Sequence, residues 1–255
     1  MSRNTDWTRE EHIVAFNLYC KIPFTKINEH YPPVIELAKI IGRSNGSVSR
    51  KLANFARLDP ALQARNVSGL THGAKGEEIV WNEFHGNWDE LAYESELILA
   101  KYKGISVEST VDLSDLKEIK KGKERESLVK TRVNQNFFRD TILASYNQTC
   151  CITRLQIPRL LIASHIIPWA KNAKERMNPQ NGLCLNALHD KAFDKGLITV
   201  NPDYKIKLSD QLKTSLNRET DKFFLPYENN PILLPSRFAP DKEFLEYHSK
   251  NIFIF

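Results

Sequence analysis

Two short apolar segments on either side of a polar loop constrain the fold of this chain more than any other feature. The first segment, residues 160–167, has the sequence LLIASHII; the second, residues 182–185, follows a loop that includes residues 171–180. Paired segments of this kind are typical of antiparallel strands. A third apolar segment, residues 197–200, predicts another strand. The C-terminal half is therefore expected to contain a β-hairpin, with His165 at the end of its first strand.

The N-terminal half has the periodicity and the end signals of helices. A first helix is predicted to begin at Thr8, because Thr8 and Glu11 have the spacing of a capping box. A second helix should cover residues 34–41 and stop at Gly42, and a third should extend from Ser44 or Asn45 to about residue 58. Further helices are predicted at residues 76–84, 87–102 and 130–146.

The second and third predicted helices have the spacing of a helix-turn-helix pair. The side chains that could reach phosphates and base edges are Arg43, Asn45, Ser47, Arg50 and Lys51. The segment WTREE, residues 7–11, also resembles the opening of Myb-like DNA-binding domains. We therefore expect this region to contact DNA. The alternative is a small helical domain that packs on the rest of the protein or dimerises.

A change of composition divides the chain. Residues 105–127 are rich in charged side chains and have no sustained apolar pattern, which favours a charged linker, with a solvated helix as the alternative. The expected fold class is α+β. A helical domain is predicted at residues 1–104 and a second domain at residues 128–255.

Composition narrows the class of protein only slightly. The net charge of +5 is compatible with binding to a phosphate polymer but does not require it. No apolar run approaches the roughly 20 residues that span a bilayer, and the N-terminus lacks the apolar core of a secretion signal. A soluble cytoplasmic protein without a membrane partner is expected. The cysteines include the adjacent pair Cys150 and Cys151 and are expected to be reduced thiols.

Four sequence elements occur in a fixed order in the C-terminal half: C-x-T at residues 151–153, SHIIPW at 164–169, NPQNGLCL at 178–185 and LHDKAFDKG at 188–196. Together they resemble the HNH endonucleases, and most closely a branch assigned to restriction endonucleases. The flanking RVNQNFFRDTILASY, LPYENNPILLP and FLEYH are also similar to that branch, so the resemblance covers about residues 128–250. It implies a ββα-metal fold, in which a two-stranded hairpin and a helix surround one metal ion.

His165 and Asn181 are the catalytic residues that this resemblance implies. The unperturbed imidazole pKa near 6.5 leaves a histidine largely neutral at pH 7, so His165 can accept a proton from water as the general base. In the family, the asparagine at the position of Asn181 either pins the loop and orients the base, or coordinates the metal directly. Asn181-Gly182 is also a strong turn dipeptide, which leaves a purely structural role open.

The metal ligands implied by the resemblance are His189, Asp194 and, as one alternative, Asn181. His189 would begin the helix after the hairpin and ligate one divalent ion. Asp194 is five residues further along, about one and a half helical turns, and either completes the ligand set or caps the helix end. Oxygen and imidazole ligands suit Mg²⁺ or Mn²⁺, although nickel, cobalt and zinc are also possible. Lys191 is a candidate phosphate contact near this centre, against the default of solvated surface.

The sequence departs from the wider HNH family in two respects. Many members have an acidic residue or a second histidine just before the base, where this chain has Ser164. Many also hold a structural zinc with two CxxC pairs. Here Arg154 stands at the second cysteine position after Cys151, and Leu185 and Leu188 stand where the other pair would be. No structural zinc is therefore expected, and apolar packing is expected in its place.

The sequence thus predicts a metal-dependent endonuclease that hydrolyses duplex DNA, with a restriction or defence role implied by the resemblance alone. A palindromic target would require a homodimer. Two alternatives remain at this stage. One is the same chemistry on RNA or single-stranded DNA. The other is a DNA-binding regulator whose nuclease domain is inactive because Ser164 replaces a ligand.

Overall fold

The computed structural model describes residues 6–65, 75–112 and 122–254. The chain divides into two compact units, Met1–Thr141 and Ile142–Phe255. A mostly helical N-terminal region is followed by a small region built from β-hairpins and helices, so the predicted α+β class is confirmed.

Local sequence signals mark the ends of several helices in the first unit. The helices of the first unit are α1 (Arg9–Lys21), α2 (Pro32–Ile41), α3 (Asn45–Leu58), α4 (Pro60–Gln63), α5 (Lys75–Phe84), α6 (Trp88–Lys103) and α7 (Lys123–Ser145), which continues into the second unit. Thr8 and Glu11 form the expected capping box of α1. Gly42 ends α2 in the left-handed conformation that glycine adopts without strain, and Ser44 caps α3.

Aromatic side chains form the centre of the first unit. The ring centroid of Phe16 on α1 lies 4.9 Å from that of Phe55 on α3 and 5.0 Å from that of Trp81 on α5. All three side chains are buried. Because these residues come from helices far apart in sequence, the aromatic contacts join α1, α3 and α5 into one core.

Part of the predicted linker is helical. Val107–Thr110 forms a 3₁₀ turn, and α7 begins at Lys123, seven residues before the predicted start of the amphipathic helix. Residues 113–121 of the predicted linker lie outside the described residues, as do residues 66–74. The two compact units meet in sequence at Thr141, within α7.

The second unit contains two antiparallel hairpins with helices around them. Its elements after α7 are β1 (Leu161–His165), β2 (Gly182–Asn186), α8 (Ala187–Asp194), β3 (Ile198–Val200), β4 (Ile206–Leu208), α9 (Asp210–Ser215) and α10 (Lys242–Asn251). In the first hairpin His165 pairs with Gly182, and Leu161 pairs with Asn186. The chain reverses into α8 after Asn186, so α8 packs along β1 and β2. Its C-terminal end therefore returns towards the end of the hairpin that carries His165.

Two local expectations for this region need correction. The helix after the hairpin begins at Ala187, not at His189, because the side chain of Asn186 accepts a hydrogen bond from the His189 N–H and caps it. The pair Asn181-Gly182 does not form a hairpin turn. Asn181 ends a 3₁₀ segment and Gly182 is extended, with φ of −135°, as the first residue of β2.

Arg43 and Lys51, predicted to contact DNA, are each paired with a glutamate of the helical unit, and Lys51 is buried. The Arg43 guanidinium donates to both carboxylate oxygens of Glu11 at 2.7 to 2.8 Å, and only 11% of its side chain is exposed. Lys51 donates to Glu77, whose side chain is fully buried. Both charges are neutralised within the fold, so these two residues are poor candidates for phosphate contact. Arg50, by contrast, is exposed on α3.

No helix within residues 6–65, 75–112 and 122–254 combines the length and the apolar character needed to cross a bilayer.

The buried Lys51–Glu77 pair leads to a stability prediction. Glu77→Ala would leave the Lys51 ammonium buried without a counter-charge, and we expect the free energy of unfolding to fall by about 3 kcal/mol or more. Glu78→Ala is the matched control, because the neighbouring Glu78 pairs with Arg57 at the surface, where such a pair contributes roughly 0–1 kcal/mol. Chemical denaturation of the two variants measures the difference. Equal losses would contradict the assigned role of Lys51.

Candidate active site

His165 is held at the end of β1 by a hydrogen bond to a backbone carbonyl. Its Nε2 lies 3.0 Å from the carbonyl oxygen of Arg176, in the loop between β1 and β2. A carbonyl oxygen only accepts, so Nε2 carries the hydrogen. In the neutral imidazole this leaves the lone pair on Nδ1. The geometry therefore selects the tautomer in which Nδ1 can accept a proton.

Several features of its surroundings keep His165 neutral and oriented. Burial lowers the pKa of His165 below its ordinary value, while the Arg176 carbonyl and the negative charge of Asp194 partly offset this. The ring of Trp169 meets the imidazole edge to face, with centroids 5.5 Å apart and planes at 85°. His165 is half-buried, so the ring is restrained but not sealed from solvent.

Asn181 fastens together the two parts of the loop that surround His165. Its Oδ1 accepts from the Ile167 N–H at 2.8 Å, and its Nδ2 donates to the carbonyls of Ile167 and Glu175 at 3.2 and 3.1 Å. The residue is 1% exposed. Ile167 follows His165 closely, and Glu175 directly precedes Arg176. The side chain of Asn181 therefore links the residues after His165 to the segment whose carbonyl accepts from the His165 ring.

One face of α8 brings two carboxylates towards the end of β1. Asp190 and Asp194 are four residues apart, which places them on the same side of the helix. Burial and the charge of Asp194 raise the pKa of Asp190, whereas Ser164 and Lys191 lower it. The buried Ser164 hydroxyl is near enough to interact with Asp190 but reaches no partner in normal hydrogen-bond geometry among the described residues. Ser164, His165, Asp190 and Asp194 thus form one polar group.

Asp190 was not among the residues predicted from the sequence. The D-x-x-x-D spacing on the predicted helix is the signal that could have identified it, because residues four apart share a helix face. The resemblance to HNH endonucleases implies a role for the neighbouring His189 instead. One residue on a helix turns the side chain by about 100°.

His189 has a different set of neighbours. Its Nδ1 lies 3.1 Å from Oδ1 of Asn186, and its ring packs against Phe224 and Tyr227, with centroids 5.2 and 5.5 Å away. Burial lowers its pKa, and the Phe223 carbonyl partly offsets that effect. Nε2 is buried and has no partner in normal hydrogen-bond geometry within the described part of the chain. None of these neighbours belongs to the group around His165.

His189 also completes a polar cluster formed by two pairs of residues with i,i+3 spacing. Cys150 and Thr153 form one pair, and Asn186 and His189 form the other. The Asn186 N–H donates to Sγ of Cys150 at 3.3 Å, and its Nδ2 donates to Oγ1 of Thr153 at 3.1 Å. The pairs that approach each other therefore each lie one residue away from the positions that correspond to the CxxC pairs of other HNH proteins. Hydrogen bonds join these two pairs, while Cys151 and Leu185 are buried in the apolar core.

The C-terminal end of α8 is fixed by the last part of the chain. Nε2 of the buried His248 donates to the Phe193 carbonyl at 3.2 Å, and its ring stacks on Phe193 with centroids 3.7 Å apart. Gly196 has a φ of +69°, and a Cβ there would lie 2.0 Å from the Ile252 carbonyl oxygen. The Ile254 N–H donates to the Gly196 carbonyl. The turn that carries Asp194 is therefore positioned by residues 248–254.

Residues 150–201 match the model of a family described as HNH endonuclease. A search of curated proteins found no significant match to this chain. The matched range includes the first hairpin, α8 and β3, and does not reach the N-terminal helices. The chain therefore carries an HNH endonuclease domain, which indicates a nuclease that hydrolyses phosphodiester bonds in nucleic acid.

HNH nucleases typically use a divalent metal ion. Among the residues that the structure describes, no three His, Cys, Asp or Glu side chains form a complete ligand cluster. Asp190 and Asp194 nevertheless suit a hard cation, because Mg²⁺ is commonly held by one or two carboxylates together with water and substrate phosphate. Their mutual repulsion and the incompletely bonded Ser164 hydroxyl are consistent with a place for a cation beside them.

The buried His248 predicts a pH dependence of stability. Burial lowers its pKa to about 4, so its contribution to stability is present above the unfolded value near 6.5 and is lost as pH falls through the folded value. Between these limits, His248→Gln should reduce the slope of unfolding free energy against pH by up to about 1.4 kcal/mol per pH unit. His30→Gln, at an exposed histidine, should leave the slope unchanged. Denaturant titrations at several pH values test this, and identical slopes for all three proteins would contradict it.

Proposed function

We propose that this protein is a metal-dependent DNA endonuclease in which His165 is the general base. The observation that carries the proposal is the hydrogen bond from His165 Nε2 to the Arg176 carbonyl, next to two carboxylates on α8. This arrangement combines a neutral imidazole in a defined tautomer with a place for a cation. Hydrolysis of a phosphodiester requires both a proton acceptor for water and stabilisation of developing negative charge.

In the proposed reaction, Nδ1 of His165 accepts a proton from a water molecule as that water attacks phosphorus. The bond from phosphorus to the leaving sugar oxygen breaks, that oxygen takes a proton from solvent water, and the imidazole becomes an imidazolium. The Arg176 carbonyl stabilises the imidazolium through the Nε2 hydrogen, and the Asp194 charge favours it electrostatically. Asn181 acts as a positioning residue, because its amide is engaged with the Ile167 and Glu175 backbone.

Asp190 and Asp194 would hold the divalent ion in this proposal. A bound Mg²⁺ or Mn²⁺ supplies polarisation of the scissile phosphate and stabilisation of the leaving oxygen. Asp190 lies against Ser164, and its carboxylate would replace the acidic ligand that many HNH proteins have at the position of Ser164. This weakens the sequence-based argument for an inactive domain. His189 is assigned to the support of α8, through the Asn186 cap and the cluster that contains Cys150.

Duplex DNA is the proposed substrate, with the hairpin and α8 approaching the minor groove. Lys191 is exposed on α8 and Arg50 on α3, so both remain available for phosphate contact. Asn45 is half-exposed at the start of α3, whereas Ser47 accepts a hydrogen bond from the Trp7 indole. A restriction or defence role, and a homodimer on a palindromic site, follow from the resemblance and are part of the proposal.

Cleavage of plasmid DNA tests the reaction. The wild-type protein should nick or cut plasmid with Mg²⁺ or Mn²⁺ and stop when a chelator is added. His165→Ala should lower the rate by roughly 100-fold or more, since general-base catalysis contributes about that much. His30→Ala, at an exposed histidine, is the control and should cut at the wild-type rate. Tight binding without cleavage in any metal would favour the regulator, and preferential cleavage of RNA or single strands would change the substrate.

Metal binding tests the ligand assignment separately. Asp190→Asn should weaken Mn²⁺ binding, measured by calorimetry without DNA, by about tenfold or more because it removes a charged oxygen ligand. His189→Gln should bind Mn²⁺ with nearly wild-type affinity but unfold more easily, since it disturbs the cluster around Asn186. Asp210→Asn, at an exposed aspartate of α9, controls for general charge effects. If only His189→Gln lost Mn²⁺ binding, the assignment of Asp190 would be contradicted and His189 would be a metal ligand.

A further inference from the structure

Arg176 contributes two groups to the surroundings of His165. Its carbonyl accepts the Nε2 hydrogen of His165, as described above. Its guanidinium is fixed separately: Nε donates to the Trp169 carbonyl at 2.8 Å, and Cζ lies 5.3 Å from the centroid of the Trp169 ring. That same ring contacts His165 edge to face. The Arg176 guanidinium and the imidazole of the base are therefore in contact with the same indole.

The positive charge of Arg176 is not neutralised by an ion pair within the part of the chain that the structure describes. Arg9, Arg43 and Arg57 each have a glutamate partner. Arg176 has none, and the adjacent Glu175 accepts a hydrogen bond from Asn178 instead. Arg176 is a half-exposed residue. An uncompensated arginine beside a general base is an attractive position for an anion.

A guanidinium held in this way is prepared to bind a phosphate. The bond from Nε and the stacking on Trp169 restrict rotation of the side chain, so less conformational entropy is lost on binding. The two Nη groups have N–H donors in the fork geometry that matches phosphate oxygens. Lys171 and Lys174 lie in the same loop, but their side chains are exposed and a lysine ammonium has no such fork.

We infer that the Arg176 guanidinium binds a non-bridging oxygen of the nucleic-acid phosphodiester and holds that phosphate beside His165. This inference rests on the proposed nuclease function, since it identifies how the same site would hold its substrate. The two contributions of Arg176 are separable by mutation. Replacing the side chain removes the phosphate contact but keeps the backbone carbonyl that orients the base.

A binding assay in an inactive background tests the phosphate contact without relying on cleavage. In His165→Ala protein, the affinity for a short DNA duplex is measured at several salt concentrations, with and without Arg176→Met. We expect Arg176→Met to weaken binding about tenfold or more and to make the slope of log K against log salt shallower by about one. Lys174→Ala, from the same loop, should change neither quantity appreciably. Thermal unfolding of each variant verifies that the fold is retained.

Activity measurements on the otherwise wild-type protein complete the test. Arg176→Met and Arg176→Lys should both raise KM, with the larger rise in Arg176→Met because lysine keeps the charge but loses the fork. The ¹⁵N signals of His165 should still report a hydrogen on Nε2 in both variants. An unchanged salt slope in Arg176→Met, or an equal loss in Lys174→Ala, would overturn the inference. A wild-type protein that never cleaves but still shows the Arg176-dependent slope would refute the proposed function alone.

Discussion

The candidate site depends on the hydrogen bond between the His165 imidazole and the backbone carbonyl of Arg176. This bond determines which ring nitrogen can accept a proton, and it also requires the long loop between β1 and β2 to turn back on the end of the hairpin. Asn181 makes that turn possible, because its side chain bonds to the backbone on both sides of the loop. The orientation of one histidine therefore depends on a buried amide sixteen residues away in sequence.

The carboxylates of α8 require equally firm support at both ends of a short helix. At the N-terminal end, Asn186 caps α8 and joins it to Cys150 and Thr153. At the C-terminal end, His248 holds Phe193, and the backbone around Ile252 packs on Gly196. This second support lies beyond the residues that match the HNH family model, so α10 and the residues after it belong physically to the nuclease unit.

In the helical unit, two basic residues pair with glutamates of the fold and are therefore less available to bind a ligand at the surface. Arg43 and Lys51 belong to a region whose composition suits nucleic-acid binding, yet each is bound to a buried glutamate. Removing such a charge from water is costly unless an opposite charge accompanies it. The two pairs therefore join the turn between α2 and α3 to α1, and α3 to α5. Fewer basic side chains of this region are therefore exposed than the sequence suggests. Arg50 is one that remains exposed.

Local signals in the sequence were sufficient for much of the fold. The capping box at Thr8, the glycine after α2 and the end of β1 at His165 depend on residues close in sequence, so they could be predicted from neighbours alone. Tertiary packing decided the rest. Whether His189 or Asp190 approaches Ser164 on β1 depends on how α8 lies on the hairpin, and a rotation of one residue exchanges them. The ion pair of Lys51 with Glu77 and the hydrogen bond from His165 to Arg176 likewise join residues that are distant in sequence. No local sequence pattern predicts such contacts.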